Sequence, residues 1–154
     1  MTLQRILVCL LSVWGLSIAP CAVGDDLWQG LKRGEYVVIM RHASAPGIGD
    51  PADFKLGDCS TQRNLSDGGR RQATEIGAMF RQHGILKAHV FSSQWCRCQE
   101  TAQLLKLGEV TDLPALNSFF ETPQHAKQQT AALKAFLNAR RSSTPLVLVT
   151  HQVN

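Results

Sequence analysis

Three short apolar runs, Tyr36 to Met40 (YVVIM), His89 to Ser92 (HVFS) and Leu146 to Thr150 (LVLVT), are separated by segments with helical periodicity. Runs of this length, bounded by glycine, proline or polar residues, predict strands, and the unbroken apolar pattern of the first and third predicts burial on both faces of a parallel sheet. Between the first two runs, Ser66 caps a predicted helix whose Ala73, Ile76, Gly77 and Phe80 share one face, with Asp67 in its first turn and Gly84 at its end. A second helix, Trp95 to Leu107, carries Cys98, Thr101, Ala102 and Leu105 on one stripe, and a third runs from His125 to Arg140. The segment before Tyr36 reads as a polar entry, Ala43 to Asn64 as a long loop, and the stretch before His125 as a proline-bearing connection. Strands alternating with helices imply an α/β fold with a largely parallel sheet, in which ligands bind at the carboxyl ends of the strands.

Residues 1–24 read differently. Arg5 precedes an uncharged apolar stretch from Ile6 to Ile18, which as a helix of about 20 Å falls short of a bilayer core of about 30 Å. This is the pattern of a secretory signal peptide cut after Gly24, leaving a single domain over 25–154 with no stable membrane anchor and a periplasmic or secreted location. Pro20 stands where lipidation of Cys21 would require a small residue. Cleavage leaves Cys59, Cys96 and Cys98, which in an oxidising compartment allow a bridge from Cys59 to Cys96 or Cys98; a zinc site is the alternative. A net charge of +4 is too mild for a nucleic-acid partner, and no glycine-rich nucleotide loop occurs.

Each strand ends in chemistry. Arg41 and His42 follow the first, Arg97 lies just inside the helix after the second, and His151 follows the third, so the topology brings two guanidiniums and two imidazoles to one sheet end. Arginine forks hold phosphate oxygens bidentately, and an adjacent imidazole attacks phosphorus or donates a proton. The amino end of the helix near Trp95 adds oriented amides.

The series Arg41-His42-Ala43, Asn64-Leu65-Ser66-x-x-Gly69-x-x-Gln72-Ala73, Ser92-Ser93-x-x-x-Arg97-x-x-x-Thr101-Ala102 and Thr150-His151 resembles the histidine phosphatase superfamily, the phosphoglycerate-mutase-like clan, from Tyr36 to Asn154. The resemblance implies a three-layer α/β fold and a phosphomonoester hydrolase with no metal or other cofactor. It implies His42 as the nucleophile that becomes phosphohistidine, Arg41 and Arg97 on the phosphate, and His151 stabilising the transferred group. Glu121 is the expected proton donor, and Arg63 and Ser44 the expected substrate contacts. Ala43 stands where the family more often has glycine, and the sequence stops three residues after His151, so a C-terminally truncated domain is expected. The loop and the Ser92 to Cys96 segment are similar to small exported bacterial members, those resembling lipopolysaccharide core heptose phosphate phosphatase among them. That implies a small phosphorylated substrate, a sugar phosphate of the cell envelope. The competing readings are a phosphohistidine phosphatase acting on a signalling protein and a non-catalytic phosphoanion-binding protein.

Overall fold

Leu146 to Thr150 is buried along its whole length, which a strand achieves only at the centre of a sheet covered on both faces. The computed structural model describes residues 23–140 and 142–153; of the predicted leader over 1–24, residues 1–22 lie outside them. The elements run α1 (Val23–Lys32), β1 (Val37–Arg41), α2 (Asp67–Gln82), β2 (His89–Ser92), α3 (Cys96–Leu105), β3 (Val110–Asp112), α4 (Ala126–Ala139) and β4 (Leu146–Thr150), with 3-10 turns at Cys59–Thr61, Pro114–Leu116 and Pro123–His125. The sheet order is β1-β4-β2-β3 with every pairing parallel, and Arg41 sits in register with Thr150, and Ser92 with Val149.

Strand alternation divides the core into two. Val90, Val147 and Val149 face α1, α2 and α3 through Leu31, Phe80, Ala102 and Leu105. Leu146, Leu148 and Phe91 face Leu116 and, on α4, Leu133, Phe136 and Leu137. The result is the expected three-layer α/β arrangement. Val147, Leu148 and Val149 have no exposed surface, and burial of each contributes about 2 kcal/mol.

Several elements differ from the sequence expectation. β1 is an edge strand: Val38 and Met40 pack into the core, while Val37 and Ile39 remain 42% and 52% exposed, so it is not buried on both faces. The supposed polar entry segment is α1, anchored by Trp28 edge-on to Phe80 and stacked on His83. The proline-bearing connection contains β3, three residues long.

α2 follows its signals closely. The Ser66 hydroxyl accepts the Gly69 amide at 3.0 Å, and Gly84, at φ +79°, follows the last turn. Its buried Gly69, Ala73 and Gly77 form a flat face, and a side chain at 77 would meet the Leu105 carbonyl oxygen at 2.2 Å. Small residues there let α2 and α3 approach backbone to backbone.

Candidate active site

The chain leaves β1 and bends sharply, its course fixed by three hydrogen bonds: His42 amide to Thr150 carbonyl (2.8 Å), Ala43 amide to Thr101 Oγ1 (3.0 Å) and Thr101 Oγ1 to Arg97 carbonyl (2.6 Å). The Thr101 hydroxyl therefore joins the residue after His42 to the helix that carries Arg97. Because β1 and β4 are neighbours, the His42 and His151 rings lie with centroids 5.5 Å apart.

A cavity of about 580 Å³ opens at this end of the sheet and is lined by Arg41, His42, Arg63, Arg97, Glu121 and His151, among others. Six of the seven expected site residues are thereby brought together. Ser44 is not among the lining residues: its amide donates to Gln72 Oε1 (2.9 Å) and its carbonyl accepts the Ser66 amide (3.1 Å), so its backbone seats the start of α2.

His42 Nδ1 lies 2.7 Å from the Ala43 carbonyl, which can only accept, so Nδ1 carries the proton and Nε2 keeps the lone pair. Burial pushes its pKa down to about 4, the Ala43 bond opposing and Arg97, Arg41 and Arg63 reinforcing the shift. Burial, then Arg97 and His42, push His151 down to about 3, and its Nε2 lies 2.8 Å from Ser93 Oγ. Ser93 is held in turn by Asn117 Oδ1, which also accepts the Gln94 amide. Cys98, close to the same ring, is pushed up to about 12 by burial and remains a thiol.

An imidazole attacks phosphorus only when neutral, so turnover carried by His42 would show a kcat/KM, corrected for substrate ionisation, that stays flat from pH 7 to about 5 and falls with a midpoint near pH 4. The folded pKa lies below the ordinary 6.5, so the unfolded chain binds more protons between the two values and stability declines as pH drops from 6.5 toward 4. Imidazole NMR titration would test both; a His42 midpoint near 6.5 would contradict them.

Arginine is used differently from the sequence expectation. Both terminal nitrogens of Arg97 hold the Asp50 carboxylate, at 2.7 and 3.1 Å, and the pair is nearly closed off from solvent. Asp50 also accepts the Arg63 amide (3.0 Å) and the Trp95 indole (3.0 Å). Burial pushes its carboxyl up, but these donors, Arg97 foremost, outweigh that and hold it below the usual range. Arg63 donates Nε to the Gly49 carbonyl (2.7 Å) and Nη1 to the Ala45 carbonyl. The first amide of α3, at Cys96, is taken by Gln62 Oε1 (2.9 Å).

Cys59 is bridged to Cys96, which fixes the loop to the start of α3 and leaves Cys98 free and buried. A bond closing 37 residues contributes about 4 kcal/mol in the chain-entropy account. It also removes two of the three thiolates that the zinc alternative needs. Asp50, for which the sequence favours a turn role over a substrate contact, lines the site, as does Phe54, which stacks on Trp95 at 5.2 Å and which the sequence does not single out. An aspartate between Gly49 and Pro51 carries only a turn signal, and its partner lies 47 residues away.

A parallel α/β sheet covered on both faces, with paired imidazoles and three guanidiniums at its carboxyl end, places the chain in the three-layer α/β class. The chain belongs to the histidine phosphatase superfamily, branch 1, which it matches over residues 37–144. No curated protein matches it in sequence. Among solved structures it is similar to a candidate phosphohistidine phosphatase SixA from Nakamurella multipartitia, at 23% identity and a TM-score of 0.52 over 75% of this chain and 58% of that one. The Agrobacterium tumefaciens counterpart gives 17% identity and a TM-score of 0.54, over 75% and 68% of the two chains. The protein histidine phosphatase SixA complexed with tungstate gives 20% and 0.50, over 75% and 69%. The likeness is one of fold, and the chain spans 58% of the length of the first of these neighbours.

Proposed function

We propose that the chain is a metal-independent phosphomonoester hydrolase that works through a phosphohistidine at His42. The observation that carries this reading is the His42 ring itself, held neutral with its Nδ1 proton on the Ala43 carbonyl, in a cavity lined by three arginines. Nε2 attacks phosphorus, the N–P bond forms and the bond to the leaving oxygen breaks, that oxygen taking a proton from Glu121, which lines the same cavity. Water then attacks the phosphoenzyme, Glu121 takes its proton, and the N–P bond breaks to release phosphate. The arginines and His151 stabilise the charge on the transferring group, the part magnesium plays in other phosphoryl transfers.

The proposed substrate is a small phosphorylated molecule, a sugar phosphate of the cell envelope, met in the periplasm or outside the cell. The pattern of residues 1–24 supports that location, and so does the Cys59–Cys96 bridge, a bond typical of oxidising compartments. The test is rapid quenching of the chain with a labelled aryl phosphate in EDTA. The expected result is turnover with an acid-labile, base-stable phosphoryl group on the peptide containing His42. Oxyanion binding without label or turnover would select the phosphoanion-binding reading, and turnover abolished by EDTA would refute the metal-free mechanism.

A further inference from the structure

Arg97 carries the fork expected to hold a phosphate, yet both terminal nitrogens of that fork already hold a carboxylate. Nη1 and Nη2 are engaged by the two Asp50 oxygens, with Nη1 also near the Arg63 carbonyl at 3.3 Å. Nε is buried without a hydrogen-bond partner among the described residues, and the Arg97 and Asp50 side chains are only 4% and 10% exposed. A phosphoryl group takes both terminal nitrogens of this arginine only if the carboxylate leaves.

Asp50 is seated as an anionic ligand would be. Its two oxygens collect four donors: both Arg97 terminal nitrogens, the Arg63 amide and the Trp95 indole. The loop that brings it in takes up a second arginine, since Arg63 is bonded to the carbonyls of Ala45 and Gly49. The tip of that loop is held by these polar contacts and not by packing: Gly47 and Gly49 hold φ of +97° and +67°, and Ile48 between them is 91% exposed.

We propose that Asp50 is a built-in occupant of the phosphoryl seat, and that a substrate's phosphoryl group binds by displacing its carboxylate from Arg97. The exchange replaces one anion by another on the same donors, so the arginine is never left buried and uncompensated. It sets a threshold, because an anion that cannot match a bidentate carboxylate does not open the loop. Apparent affinity is lowered by the fraction of molecules in which the seat is empty. The inference rests on the phosphatase reading only in taking a phosphoryl group as the ligand of Arg97.

The experiment is calorimetric titration of the full chain and of Asp50→Asn with tungstate and with inorganic phosphate, neither of which requires turnover. The expected result is tungstate binding at least about tenfold tighter in Asp50→Asn, with KM for an aryl phosphate lowered and kcat not reduced. Affinity unchanged or weaker in the variant, or kcat lost at constant KM, would overturn the proposal and make Asp50 a positioning residue for Arg97. Binding by the variant alone supports it; binding by neither protein would overturn this inference and the phosphatase reading together. A second measurement needs no variant. In wild-type chain with carbon-13-labelled aspartate, the Asp50 carboxyl should titrate closer to the ordinary range once tungstate saturates the site, whereas a carboxyl still held low in the complex would overturn displacement.

Discussion

Replacing His42 by alanine is expected to lower turnover by about 10⁴-fold or more, because it removes the imidazole proposed to form the covalent intermediate. Cys98 is kept a thiol by burial, and the His151 Nε2 is turned to Ser93. The arginines stay in place, so tungstate affinity should change by less than about tenfold, separating loss of the nucleophile from loss of the anion seat. The fold should survive. Among the described residues the His42 side chain makes one hydrogen bond, to Ala43, and losing it costs about 1 kcal/mol. The variant should also shed part of the acid sensitivity, since it removes an imidazole that folding keeps neutral. Residual turnover within tenfold of wild type, measured as phosphate release in EDTA, would rule out His42 as the nucleophile.

Most of this site was legible in the sequence because residues that end parallel strands are brought together by topology alone. Arg41, His42 and His151 needed only the strand positions, and β2 and β4 have the predicted ends. β1 was misjudged because an apolar run says nothing about whether a neighbouring strand or helix covers it. β3 escaped because three residues carry no usable period, and α1 because its only strong apolar anchors, Trp28 and Leu31, lie in an otherwise polar stretch. The use of the arginines was not legible at all. Whether Arg63 and Arg97 point at substrate or at a loop depends on backbone carbonyls and on one aspartate that local sequence marks only as a turn former. The same holds for the bridge: spacing left Cys96 and Cys98 equivalent partners for Cys59, and only the helical phase of α3, which buries Cys98 against Thr150 and His151, separates them.

Gly69→Ala is expected to destabilise the chain by about 3 kcal/mol, although alanine is intrinsically the better helix former by about 1 kcal/mol. The reason lies beside His42, the proposed nucleophile. A methyl group at 69 would stand 2.1 Å from the Ser44 carbonyl oxygen and 3.0 Å from its carbon, both of them backbone atoms that cannot rotate away. That carbonyl accepts the Ser66 amide at 3.1 Å, and the Ser44 amide donates to Gln72 at 2.9 Å, so relief by moving either partner breaks the junction between the loop and α2. Movement of Ser44 also reaches Ala43, whose carbonyl fixes the His42 ring and whose amide is tied to Thr101. Activity should therefore fall along with stability, and kcat should fall more than KM rises because the nucleophile's aim is disturbed rather than the arginines. The adjacent Gly68 supplies the comparison. A methyl group there meets the Ser66 hydroxyl at 3.6 Å and an Arg71 terminal nitrogen at 3.9 Å, both ordinary contacts, so Gly68→Ala should leave stability unchanged or raise it by about 0.5 kcal/mol through the unfolded state. Urea unfolding of the two variants beside the parent measures the difference. Equal midpoints would mean that α2 and the loop after His42 are not packed backbone to backbone, and that the Gly69 position is free to carry a side chain.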